Sequence, residues 1–228
     1  YQGQANAGSE GEKHIMKKYV VFDFDGTLLD TDQLIVDSWQ AVFKRFRGKE
    51  ADENLILSTF GETVANTTKE IFADEDADEV LAVYRGYQAE HSKGAYKLYP
   101  GVEELLGELK RRGYSLSIVT SRLGNTAMQY LGEMGIKDDF DVIITADDVT
   151  SHKPEPGPLL EALRRLGAKR EEAIMIGDTR FDIGCSINAG VDSILVCWGR
   201  RGGNVPLGGI EPMYRISKPE ELFEIIEG

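Results

Sequence analysis

The sequence predicts an α/β fold: a doubly wound, Rossmann-like parallel sheet core with an inserted all-helical cap domain. Three observations predict it. Short apolar runs at 19–24, 115–120, 141–145, 173–176 and 193–196 read as strands buried on both faces. Helix-length amphipathic stretches alternate with the last four runs, which implies right-handed crossovers and a parallel sheet. Between the first two runs, the interval 33–97 carries helical periodicity and no convincing strand.

In chain order, the first strand opens on Tyr19-Val20-Val21-Phe22, and Asp30-Thr31-Asp32 then offers N-capping groups. Leu34, Ile35, Trp39, Val42, Phe43 and Phe46 recur at helical spacing, so this helix packs by one face, with the cleft beside a cap as the alternative place for its aromatics. The stretches 54–60, 64–72 and 78–91 read as further helices, separated by Gly61 and the acidic run Asp74-Glu75-Asp76. Tyr99-Pro100-Gly101 is a turn, and 102–112 is an amphipathic helix stopped by Gly113. Helices at 125–134, 158–166 and 180–189 join the later strands, 199–209 is a Gly-rich loop, and 220–226 closes the chain as a helix. The domain expectation is therefore a core of 16–32 and 98–228, a cap of 33–97, and a disordered leader or tag at 1–15, with Met16 as the native start.

The chain has 228 residues, of which 41% are hydrophobic, enough for a sizeable core. Its net charge of −13, from 26 basic and 39 acidic residues, disfavours nucleic acid and anionic membranes as partners. Basic residues cluster only in short pairs such as Arg164-Arg165 and Arg200-Arg201. Cys185 and Cys197 form no CxxC motif, which argues against a disulfide framework or a zinc site and for a reducing cytoplasm. No apolar run approaches the roughly 20 residues of a membrane span. Oligomeric state is not legible.

In a doubly wound sheet, ligands bind at the carboxyl ends of the strands. The first strand ends in Asp23-Phe24-Asp25-Gly26-Thr27. Two acids one residue apart read by themselves as solvated loop carboxylates, but Gly26 permits a sharp turn that keeps both near one point. The second core strand ends in Thr120-Ser121, the third leads to His152-Lys153-Pro154, and the fourth ends in Gly177-Asp178 with Asp182 following. Each has a plain alternative: a strand-end threonine, a surface lysine, a helix-surface acid. Together they supply what phosphoryl transfer to a carboxylate requires. One carboxylate attacks phosphorus, a second moves the proton, and hydroxyl and lysine donors hold the phosphate oxygens. So many carboxylates would repel a phosphate, and Mg²⁺, bound by carboxylates and phosphate oxygens, removes the conflict.

Asp23-Phe24-Asp25-Gly26-Thr27, Thr120, Lys153, and Gly177-Asp178 with Asp182 resemble, in order, the four motifs of the haloacid dehalogenase-like (HAD) hydrolases. The resemblance runs from Tyr19 to the C-terminus. A helical cap between the first two motifs resembles the branch that holds phosphoglycolate phosphatases, β-phosphoglucomutases and a bacterial pyrophosphatase. It implies Asp23 as nucleophile and Asp25 as general acid/base, with the Asp25 backbone carbonyl on the metal. It implies Thr120, Ser121 and Lys153 as phosphoryl-binding groups, Asp178 as a direct Mg²⁺ ligand, and Asp182 as a ligand directly or through water.

A dehalogenase has no need of the Asp25 acid/base. The β-phosphoglucomutase pattern has an arginine in the cap loop where this chain reads Gly61-Glu62-Thr63-Val64, and Glu-Asp where it reads Gly177-Asp178. The expected function is thus a Mg²⁺-dependent phosphatase acting on a small phosphorylated metabolite, either pyrophosphate or a phosphoglycolate-like monoester. A sugar-phosphate mutase and a non-catalytic phosphate-binding scaffold are the alternatives. Lys69, Arg85, Lys93 and Lys97 are the cap cations available to an anionic substrate.

Overall fold

The computed structural model describes residues 16–228, so the leader expected at 1–15 lies outside the described residues. In order, the elements are β1 (Tyr19–Phe22), β2 (Leu29–Asp30), α1 (Asp32–Arg47), α2 (Glu53–Leu57), α3 (Val64–Ile71) and α4 (Ala77–His91). There follow β3 (Lys97–Leu98), α5 (Val102–Arg111), β4 (Ser115–Val119), α6 (Gly124–Met134), β5 (Val142–Ile144) and α7 (Gly157–Leu166). The chain ends with β6 (Ala173–Gly177), α8 (Arg180–Ala189), β7 (Asp192–Val196), β8 (Tyr214–Ile216) and α9 (Leu222–Ile226).

Six strands form one parallel sheet in the order β5-β4-β1-β6-β7-β8. The apolar runs are continuous because both faces are covered. Alternate side chains go to opposite sides. Val20, Phe22, Leu116, Ile118, Ile174 and Ile176 meet Leu105, Leu109, Tyr130, Leu131 and Leu222 on one face. Val21, Val119, Ala173 and Met175 meet Leu159, Leu163, Cys185 and Ala189 on the other. β1 lies between β4 and β6, and the winding reverses beside it, which is where such sheets bind ligands.

The inserted helices have a core of their own. Trp39, Val42 and Phe43 of α1 pack on Ile56, Phe60, Phe72, Val80 and Tyr84. Trp39 stacks parallel to Phe72 at 6.2 Å and tilts against Tyr84 at 4.8 Å. Two features depart from expectation. The insert is entered and left through a two-residue antiparallel ribbon, with Leu29 paired to Leu98 and Asp30 to Lys97. The sheet also has the extra edge strand β8. Among the described residues, no helix is long and apolar enough to cross a membrane.

Candidate active site

β1 ends at Phe22, but the Asp23 N–H still donates to the Ile176 carbonyl at 2.8 Å. The chain turns at Gly26, whose φ is +80°. A side chain there would also collide with the Asp178 carboxylate, so glycine is required twice over. Asp23, Thr120 and Asp178 thus emerge from the ends of three neighbouring strands, β1, β4 and β6.

Lys153 arrives from the loop after β5 and is buried. Its Nζ donates to Asp23 Oδ1 and to Asp182 Oδ1, each at 2.6 Å, and to the Val119 carbonyl at 3.2 Å. It is not a surface lysine. Burial opposes its charge, but Asp182 and Asp23 reverse that and raise its pKa. Asp182 is not a helix-surface acid either, being fully buried. Its second oxygen accepts from the Thr179 N–H at 3.0 Å and the Thr179 hydroxyl at 2.6 Å, and Thr179 in return caps α8.

Carboxylate oxygens of Asp23, Asp178 and Asp182 lie within 4.8 Å of one another. Burial and then Asp182 push the Asp23 pKa well up, against the pull of Lys153. Burial also pushes Asp178 up, to about 7, with Arg201 opposing and Asp182 adding to it. Both shifts come first from burial, with neighbouring carboxylates adding to it. Three hard oxygen donors with unneutralised charge fit Mg²⁺. The Asp25 carboxylate is outside this cluster.

Asp25 is turned toward a different group. Arg122 donates through Nε to Asp25 Oδ2 at 3.0 Å and through Nη2 to Oδ1 at 2.6 Å. The Thr31 hydroxyl donates to Oδ1 at 2.7 Å. Of the capping groups offered by Asp30-Thr31-Asp32, Thr31 takes the N-cap position of α1, but its side chain makes no cap bond and its hydroxyl serves Asp25 instead. Burial raises the Asp25 pKa, but Arg122 and Thr31 outweigh it and hold the carboxyl below its ordinary value.

Asp23, Asp25, Arg122 and Asp178 line a cavity of about 530 Å³ between sheet and inserted helices, which Lys153 and Asp182 do not reach. Thr120 and Ser121 line it, the Thr120 hydroxyl accepting from the Arg122 N–H at 3.1 Å. The insert supplies Trp39, Glu62, Lys69, Tyr84, Arg85 and Gln88 to the wall. Lys93 and Lys97 do not line it, and Lys97 belongs to the β2–β3 ribbon. The insert is closed over the sheet: the Ser121 hydroxyl donates to the Gly61 carbonyl at 2.7 Å, and Arg200 binds Gln33 and Glu53. Trp198 packs against the site turn, its Nε1–H donating to the Thr27 carbonyl at 3.0 Å.

The structure brings Asp23, Asp25, Thr120, Ser121, Lys153, Asp178 and Asp182 to one place. Sequence reasoning missed Arg122 and Arg201, the latter 2.8 Å from Asp178 Oδ2. A usable signal existed for Arg122, which follows Thr120-Ser121 directly at a strand end.

Comparison with known proteins agrees with this geometry. Residues 20–196 match the sequence profile of the haloacid dehalogenase-like hydrolases. Pyrophosphatase PpaX of Bacillus velezensis is 36% identical over 206 residues, covering 90% of this chain and 94% of that protein. Pyrophosphatase PpaX of Halalkalibacterium halodurans is 34% identical over 207 residues, covering 91% and 95%. A crystal structure of a candidate phosphoglycolate phosphatase from Lactobacillus plantarum superposes with a TM-score of 0.80 at 28% identity, covering 92% of this chain and 99% of that one.

Proposed function

The chain belongs to the haloacid dehalogenase-like hydrolase family, and from that premise we propose that this phosphatase is Mg²⁺-dependent and works through an aspartyl phosphate on Asp23. The observation that carries the reading is the buried Asp23–Lys153–Asp182 cluster beside Asp178, with Asp23 and Asp178 lining the cavity. Asp23 attacks phosphorus in line with the leaving oxygen, and the new O–P bond forms as the old one breaks. Lys153 holds the Asp23 carboxylate in place. Thr120 and Ser121 offer hydroxyls to the phosphoryl oxygens. Asp25 gives a proton to the leaving oxygen, then takes one from the water that cleaves the aspartyl phosphate. Asp23, the Asp25 carbonyl and Asp178 would hold Mg²⁺, with Asp182 behind them, and the ion supplies the positive charge that lets an anionic phosphate meet anionic carboxylates. Residues 33–97 act as a cap whose closure excludes water.

The relatives' names favour a small anionic substrate, pyrophosphate or phosphoglycolate. The test is phosphate release from pyrophosphate, phosphoglycolate, sugar phosphates and nucleotides, with Mg²⁺ and with chelator. The expected result is Mg²⁺-dependent release from one of the first two, lost by at least ~1,000-fold in Asp23→Asn. An Asp23→Asn protein as active as the wild type overturns the assignment. Transfer from a sugar bisphosphate without phosphate release would establish a mutase instead.

A further inference from the structure

Arg122 is the least expected residue of the site. Its side chain is 8% exposed. It grips both oxygens of Asp25 with two N–H groups, the fork geometry in which arginine binds carboxylates most firmly. Its third nitrogen, Nη1, reaches Gln88 Oε1 on α4 at 3.4 Å. Its Cζ stands 4.4 Å from the centre of the Tyr130 ring. The guanidinium is therefore fixed on three sides, and it lines the substrate cavity.

This arrangement conflicts with the role proposed for Asp25. A general acid must reach the leaving oxygen. Here Oδ1 is occupied by Arg122 and Thr31, and Oδ2 by Arg122. Oδ2 keeps a free lone pair, but a carboxylate forked to a guanidinium keeps its negative charge, so Asp25 has no proton to give until Arg122 has let go. A second oxyanion that fits the same fork, a carboxylate or a phosphate, is the partner best able to draw a guanidinium off the first. The position of Arg122 says where that second anion must be. Asp25 has to touch the leaving oxygen, and Arg122 touches Asp25, so the guanidinium lies beside the first few atoms of the leaving group. The other basic residues of the cavity wall, Lys69 and Arg85, are exposed on α3 and α4.

We propose that Arg122 reads the charge of the leaving group: an anionic leaving group draws the guanidinium off Asp25, whose carboxylate then takes up a proton from solvent and passes it to the leaving oxygen. The inference rests on the phosphatase reading above and sharpens it. The favoured substrates carry a carboxylate or a second phosphate within a few bonds of the phosphorus–oxygen bond that breaks. A neutral leaving group can enter the cavity, but Asp25 stays gripped, so the defect falls on kcat more than on KM.

Phosphoglycolate and 2-hydroxyethyl phosphate make the test. They share the phosphoryl group and a two-carbon leaving group, and differ in carboxylate against hydroxymethyl. The wild type is expected to turn over phosphoglycolate with a kcat at least ~10-fold higher than 2-hydroxyethyl phosphate. Arg122→Ala should bring the ratio toward one. Arg122→Lys should restore KM for the anionic substrate more than kcat, because an ammonium lacks the fork. Equal kcat on charged and neutral substrates in the wild type overturns the inference, as does a loss by the same factor on both in Arg122→Ala. p-Nitrophenyl phosphate, whose leaving group needs little acid assistance, separates the two readings. Asp23-dependent release from it with no charge preference leaves the phosphatase standing and sinks the role of Arg122. No release from these three compounds or from pyrophosphate sinks both.

Discussion

Asp23, the proposed nucleophile, sits where its charge costs stability. Its carboxylate is buried, shares the single ammonium of Lys153 with Asp182, and lies beside Asp178. Burial and the like charges favour its neutral form. Replacing it with an isosteric neutral amide removes one surplus charge while Lys153 keeps Asp182. Asp23→Asn should therefore be inactive and, without divalent cation, more heat-stable than the wild type, as strained active sites often are when relieved. Calorimetry in chelator checks this, and a lower Tm would show that the lost bond to Lys153 outweighs the relief of crowding. Asp23, Asp25, Thr120, Asp178 and Asp182 were legible because each sits at or soon after a strand end, Lys153 because it stands in the loop that follows one, and the parallel sheet sends those ends to one edge. Arg122 was not read, although it too follows a strand end. Arginines there are usually solvated, and what makes this one different is Asp25, 97 residues away in sequence. The burial of Lys153 and Asp182 was equally invisible, since it depends on packing between β5, β6 and α8 rather than on local pattern.

The elements follow the period of the sequence closely where packing is two-sided. The five core strands and the helices between them fall within a few residues of their expected positions, because a strand covered on both faces must be apolar throughout. The β2–β3 ribbon escaped because two residues per strand carry no period, and β8 escaped because an edge strand of three residues has only one neighbour. The ribbon anchors both ends of the insert to the core, so the insert can close as a unit. One residue at its tip marks the closed position. Gly61 has a φ of +90°, and a side chain there would collide with Thr179 at the start of α8. Gly61→Ala pays the left-handed backbone cost of about 1–3 kcal/mol and adds a clash in the closed state. If closure gates turnover, it is the clash that lowers kcat/KM, by roughly 5- to 150-fold if it costs the closed state about 1–3 kcal/mol. The backbone strain applies with the cap open as well, so the comparison that matters is with Gly48→Ala, which has a positive φ and open space around it. Equal activity in the two variants would show that the contact of Gly61 with Thr179 is not part of closure.

At the scale of the molecule, a chain of net charge −13 gathers several acids at one point and is read here as a receptor for anions. Local cations make that workable. Arg122 neutralises Asp25, Arg201 meets Asp178, and Lys153 spans Asp23 and Asp182. The balance remains short of positive charge, and Asp178 registers the deficit with a pKa pushed up to about 7 by burial first, against Arg201, with Asp182 and Asp32 adding. An unfolded aspartate titrates near 3.9. Between about pH 4 and pH 7 the folded protein thus binds more protons at Asp178 than the unfolded chain does, so stability falls as pH rises through that window. A divalent cation at the same oxygens supplies the charge that the proton supplied. Mg²⁺ should therefore raise Tm by several degrees at about pH 8 and by much less at about pH 5.5, given roughly 2–4 °C per kcal/mol for a chain of this length. Asp178→Asn should abolish most of the difference between the two. Thermal unfolding with Mg²⁺ and with chelator at both pH values measures it. An equal Mg²⁺ increment at the two pH values would show that the ion is not answering the charge deficit at Asp178, and the ligand set proposed for it would have to be redrawn.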